Sequence, residues 1–188
     1  NIEGFVINEI SSGRACLELL KSIFLFDIVL SEGKLKFNFN NYKDITYIDE
    51  QDFVVEEGNN QKIFTFTKLE ELELAKKIEI SYISRARNYE LNTQYALTYL
   101  NEGEKIISLD LPIVLNDHDA KALAENHLLL NQTENIIYEF ALGPKYFYLE
   151  PACLLHYKAE LYKIISCNLG ANNIYKIIAV RTSSSRYN

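Results

Sequence analysis

Apolar side chains alternate with polar ones in the clearest runs of this chain, and that period limits its fold more than any other feature. In Ile78-Glu79-Ile80-Ser81-Tyr82 the alternation is complete, which is the spacing of a strand with one buried face. Extended runs are predicted at 4–8, 26–30, 34–39, 61–67, 78–82, 92–100, 106–114, 136–142, 146–149, 154–159, 161–167 and 173–182. Shorter apolar pieces at 45–48 and 53–55 interrupt a polar region of connections and one minor strand. Ser31-Glu32-Gly33, Asn101-Glu102-Gly103-Glu104, Gly143-Pro144, Glu150-Pro151 and Gly170-Ala171-Asn172 punctuate the series with turn-forming residues. The run at 34–39 sets Leu35, Phe37 and Phe39 against Lys34, Lys36 and Asn38, so 26–39 reads as a hairpin with one wet face.

Helical spacing occurs twice. Ser11 or Ser12 caps a helix reaching about Phe24, in which Cys16, Leu19, Leu20, Ile23 and Phe24 form a core face. A second helix runs from Asp117 to about Asn131, capped by Asn116 or Asp117, with Asp119 in the first turn and Ala120, Leu123, Ala124, His127 and Leu128 as its buried stripe. The stretch 69–77 has helix-forming composition but no cap, Gly or Pro to bound it. Many short strands with two helices imply an α+β fold, mainly antiparallel β. Its expected organisation is a strand-helix-hairpin and central sheet region over 1–115, then a helix and antiparallel strands over 116–188; alternatively both form one compact unit. The Ser-rich tail at 183–186 is expected to fray.

The 188 residues are 48% hydrophobic and 24% charged, with aromatics, all Tyr or Phe, at 12%. Such a chain buries a core without disulfides or metals. Its net charge of -7 disfavours a phosphate backbone, and the five arginines form no basic stripe, so nucleic acid is not an expected partner. No apolar run is long enough to cross a bilayer, so neither is a membrane. Cys16, Cys153 and Cys167 contain no CxxC spacing and leave one cysteine over, which fits free thiols in a reducing compartment. Methionine is absent, including at position 1; the expectation is a segment of a longer polypeptide.

The candidate chemical groups are few. His127 on an apolar face is better read as a packed histidine than as a ligand. His118 between Asp117 and Asp119 resembles a metal-binding tripeptide, but Asn116 to Asp119 is better explained as the start of a helix. Cys153 and His156 stand three apart on a strand and so face opposite ways, which argues against a nucleophile pair. The acidic pairs Asp49-Glu50, Glu56-Glu57 and Glu70-Glu71 read as solvated surface. There is no phosphate loop, dinucleotide fingerprint, nucleophile elbow or HExxH. Catalytic, cofactor-binding and metal-binding residues are therefore expected to be none.

The order of segments resembles the tail-hub or baseplate proteins of phages and gene transfer agents, in the region described as a phage tail protein domain. The resemblance rests on Ile2-Glu3-Gly4-Phe5-Val6, the helix from Arg14-Ala15, Phe26-Asp27, Gly33-Lys34-Leu35-Lys36-Phe37, and the stretch from Ile80 to Tyr89. It continues through Leu109-Asp110-Leu111-Pro112-Ile113-Val114-Leu115 with Asp119-Ala120-Lys121-Ala122-Leu123-Ala124, then Tyr138-Glu139-Phe140-Ala141-Leu142, Leu149-Glu150-Pro151, Ala179-Val180-Arg181 and Tyr187. After Glu150-Pro151 the family places Gly-Asp, where Ala152-Cys153 stands here. Gly permits a positive φ that Ala disfavours, so this turn is expected to differ. The resemblance implies a non-enzymatic, tail-hub-like assembly domain, synthesised in the cytoplasm and placed in a particle tail. Its partners would be other tail or baseplate proteins and, in a full-length parent, two further copies in a homotrimer. The alternative is a carbohydrate- or receptor-binding module of a tail tip, for which Tyr and Asn faces are also suited; a hydrolase centred on Cys153 or the His118 region ranks last.

Overall fold

A computed structural model describes residues 4–6, 12–38, 45–55, 64–100, 103–170 and 173–182. Among these residues two helices and twelve mostly antiparallel strands give the α+β fold. The strands are β1 (Gly4–Phe5), β2 (Asp27–Ser31), β3 (Lys34–Asn38), β4 (Ile45–Tyr47), β5 (Phe64–Lys68), β6 (Lys77–Ser84), β7 (Glu90–Leu97), β8 (Ile106–Leu115), β9 (Ile136–Leu142), β10 (Leu154–Tyr157), β11 (Glu160–Leu169) and β12 (Tyr175–Thr182). The helices are α1 (Gly13–Phe24) and α2 (Asp117–Thr133). Contacts divide the chain into two compact units, each made of two stretches: 1–24 with 69–132, and 25–68 with 133–188.

The first unit is a four-stranded sheet in the order β1-β8-β6-β7. Ile78, Ile80 and Tyr82 of β6 and Leu111, Ile113 and Leu115 of β8 meet Ala120, Leu123, Ala124 and Leu128 of α2 in one core. A boundary at 115/116 would cut through that core, so the division expected at this point is not the one the packing makes. Asn116 caps α2, its Oδ1 accepting the Asp119 amide at 2.7 Å. At α1, the Ser12 hydroxyl accepts the Ala15 amide at 3.3 Å. The α1 stripe is less covered than its spacing implies. No α1 residue is fully buried; Leu19 and Ile23 pack against the core, whereas Phe24, about 100° further round the helix, is exposed. β6 and β8 run parallel, a departure from hairpin succession.

The second unit is a six-stranded sheet in the order β4-β10-β11-β12-β9-β5, plus the ribbon β2-β3. Phe140 and Leu142 of β9, Leu155, Tyr162 and Ile164, and Ile177 and Ala179 of β12 build its core with Phe53, Tyr146 and Leu149. β4 and β10 are parallel.

The run 146–149 is not a strand: Pro144–Tyr146 is a 3-10 turn, and Leu149 donates to the Tyr146 carbonyl at 3.0 Å. Tyr146 and Leu149, three apart, fall on one side of such a turn, and both are buried. Within 69–77, a 3-10 turn at Glu71–Glu73 precedes β6. The Ser11, Phe39 and Glu56-Glu57 readings, the start of the 61–67 run and the 183–186 tail lie outside the described residues.

Candidate assembly surface

The β2-β3 ribbon turns through Glu32 and Gly33, both with positive φ (50° and 74°), the two-residue geometry that matches strand twist. Its register pairs Ile28 with Phe37, Val29 with Lys36, Leu30 with Leu35 and Ser31 with Lys34. Residues directly across an antiparallel pair share a face. One face therefore carries Asp27, Val29, Ser31, Lys34 and Lys36, and the other carries Ile28, Leu30, Leu35 and Phe37.

Polar contacts decide which face turns inward. Val29 and Ser31 are 6% and 4% exposed. The Ser31 hydroxyl donates to the Glu150 carboxylate, and Lys36 Nζ reaches its other oxygen at 3.0 Å. Lys163 on β11 lies 3.4 Å from Asp27 and 3.7 Å from Glu134. The bonds from Ser31 and Lys36 hold the Glu150 carboxyl below its usual range, Ser31 contributing most. The apolar face is left outward: Leu30, Leu35 and Phe37 are 73%, 53% and 45% exposed. The single wet face expected from alternation is not what is found: on β3 Lys34 and Lys36 are exposed as well as Leu35 and Phe37, while Phe37 also packs its ring 5.7 Å from that of Phe26. Burying such side chains is worth about 1.5–3 kcal/mol each, so a contiguous patch left open marks an interaction surface.

The turn supplying Glu150 also differs from its expectation. Ala152 takes a φ of 67°, the conformation a Gly would favour, and its amide donates to the Ile164 carbonyl at 2.8 Å. The turn keeps a Gly-like backbone, at a cost of about 1 kcal/mol in Ala.

The sequence candidates for chemistry are dispersed. His127 Nε2 lies 2.7 Å from the Ser22 carbonyl, and burial holds its pKa below the ordinary value. His118 is exposed, 3.8 Å from Asp119. Cys153 packs against the second unit's core, while the His156 ring lies 5.0 Å from that of Tyr47. Burial pushes the Cys167 thiol up, and a raised thiol is a poor nucleophile. Asp49-Glu50 begins a surface turn, with the Asp49 amide donating to Asp52 at 3.0 Å. Among the described residues no three His, Cys, Asp or Glu side chains group as metal ligands, and no helix is long and apolar enough to cross a membrane.

A polar network that sequence reasoning does not reveal lies at the start of α2. Tyr82 and Ser84 donate to one Asp117 oxygen at 2.5 and 2.9 Å, and Asn92 donates to the Tyr82 hydroxyl at 2.9 Å. It fastens the helix to β6 and β7.

Residues 12–162 match a family described as "Putative phage tail protein". The fold is similar to a chain from the virion of a native gene transfer agent particle, with TM-score 0.88 and 18% identity over 100% of this chain and 43% of that one. A tail protein from Neisseria meningitidis MC58 gives TM-score 0.60 and 8% identity over 97% of this chain and 58% of that one. The 43 kDa tail protein of prophage MuSo2 from Shewanella oneidensis gives TM-score 0.57 and 11% identity over 97% and 58%. The chain thus spans about half the length of these structures. No curated protein matches it. By the family match over most of its length, this chain belongs to the phage tail proteins.

Proposed function

We propose that this chain is the assembly segment of a tail hub or baseplate component, without catalytic activity of its own, in the tail of a phage-like or gene transfer agent particle. Its partners are neighbouring tail proteins and, in the full-length parent, two further copies forming a homotrimer. The observation that carries this reading is the β2-β3 ribbon, pinned through Glu150 and Lys163 so that Leu30, Leu35 and Phe37 turn outward. A patch of this kind gains little in an isolated chain and several kcal/mol when a partner covers it.

The test is co-sedimentation of the full-length parent with its neighbouring tail proteins, comparing wild type with a Leu30→Lys/Leu35→Lys double variant. Loss of the complex with unchanged melting temperature supports the reading. Undiminished complex formation refutes the ribbon as the docking surface.

A further inference from the structure

Among the described residues β7 is an end strand of its sheet. The Thr98 amide donates inward to the Lys76 carbonyl at 2.9 Å; since backbone groups alternate in direction along a strand, residues 91, 93, 95 and 97 send their N–H and C=O groups to the free edge. Such a row is a template for another strand. β7 lacks the usual deterrents, since its sequence ELNTQYAL contains no Lys or Pro and a single charge, Glu90, at its first position.

A residue from another element reaches this edge. Lys121 of α2 donates its Nζ to the Tyr95 carbonyl at 2.6 Å. The same ammonium lies 5.3 Å from the Tyr95 ring centroid and 3.7 Å from Glu125, one helical turn on. It fills the position at which an incoming strand's amide would donate.

We propose that Lys121 guards β7 against pairing with β7 of a second copy of this chain. A second copy is the occupant because the strand is self-complementary. Antiparallel pairing centred on Gln94 would set Leu91 across from Leu97 and Thr93 across from Tyr95, with no like charges opposed within the strands. It would join two four-stranded sheets into one. Lys121 opposes this twice, by occupying the Tyr95 carbonyl and by bringing an ammonium from each copy to the same seam. The inference concerns the free chain and stands apart from the hub reading.

The experiment is sedimentation velocity of the 188-residue chain over a concentration series, with amide exchange measured on the same samples. Lys121→Met keeps the aliphatic stem and removes the donor and the charge. It is expected to self-associate about tenfold more tightly, the scale of one hydrogen bond with its charge. Exchange at Leu91, Thr93, Tyr95 and Leu97 slows as that association appears. Lys121→Arg, which still donates, behaves as wild type. Thr93→Pro, added to Lys121→Met, removes one edge N–H and returns the chain to wild-type association. If Lys121→Met melts early, Lys121→Ala takes its place. A folded Lys121→Met or Lys121→Ala variant that sediments as wild type overturns the proposal, as does association that survives Thr93→Pro.

Discussion

Leu30 of β2 stands directly across from Leu35 of β3, and both project into solvent. The pair is held there from behind, because Val29 and Ser31 on the opposite face are buried and Ser31 and Lys36 both bond Glu150. Turning the ribbon over would expose Val29, strand Ser31 and separate Lys36 from its carboxylate. The outward apolar face is thus fixed by polar contacts on the other side.

Replacing Glu150 with Ala removes the acceptor for a buried hydroxyl and should cost about 1 kcal/mol, read as a lower denaturant midpoint. The pH dependence has a definite sign. The folded pKa lies below the ordinary glutamate value of 4.5, so the contribution is complete above that value and is lost as pH falls through the lowered one. Limited proteolysis at the ribbon should therefore accelerate on acidification in wild type and show no such added step in Glu150→Gln.

Ala152→Gly should stabilise the chain by up to about 0.5 kcal/mol. It relieves the left-handed backbone of Ala152, partly offset by the greater freedom of Gly in the unfolded chain. Thermal melting checks this; a lower melting temperature would show that Ala152 packing outweighs backbone strain.

His127 is held neutral by burial, with its Nε2 at the Ser22 carbonyl. Its folded pKa is below the ordinary histidine value of 6.5, so the unfolded chain binds a proton first as pH drops. Its stabilising contribution is present above 6.5 and falls as pH decreases toward the folded value. Denaturant unfolding at pH 7.5 and 5.5 should show a smaller pH difference in His127→Gln than in wild type. Equal differences would exclude His127 as their source.

The sequence made the elements legible and the orientations less so. The α2 stripe of Ala120, Leu123, Ala124 and Leu128 follows from helical spacing, and Asn116 from capping chemistry. The ribbon follows from its turn and alternation, but alternation alone does not say whether Leu35 and Phe37 face the chain's own core or another chain, since both environments select apolar residues. The decisive groups, Glu150 and Lys163, lie more than a hundred residues away. Parallel pairing of β6 with β8 leaves no local mark either, since the sequence shows strands and not their neighbours. The run 146–149 reads as extended from its sequence, yet two apolar residues three apart beside Pro144 fit a 3-10 turn equally well, and that is what forms.

The central claim is tested most directly by a cryo-electron microscopy map of the assembled tail containing the full-length parent. Leu30, Leu35 and Phe37 are expected in van der Waals contact with a neighbouring chain, while Ser31 and Lys36 keep their bonds to Glu150. A map in which the ribbon keeps these bonds and its Leu30-Leu35 face stands in solvent would contradict the account.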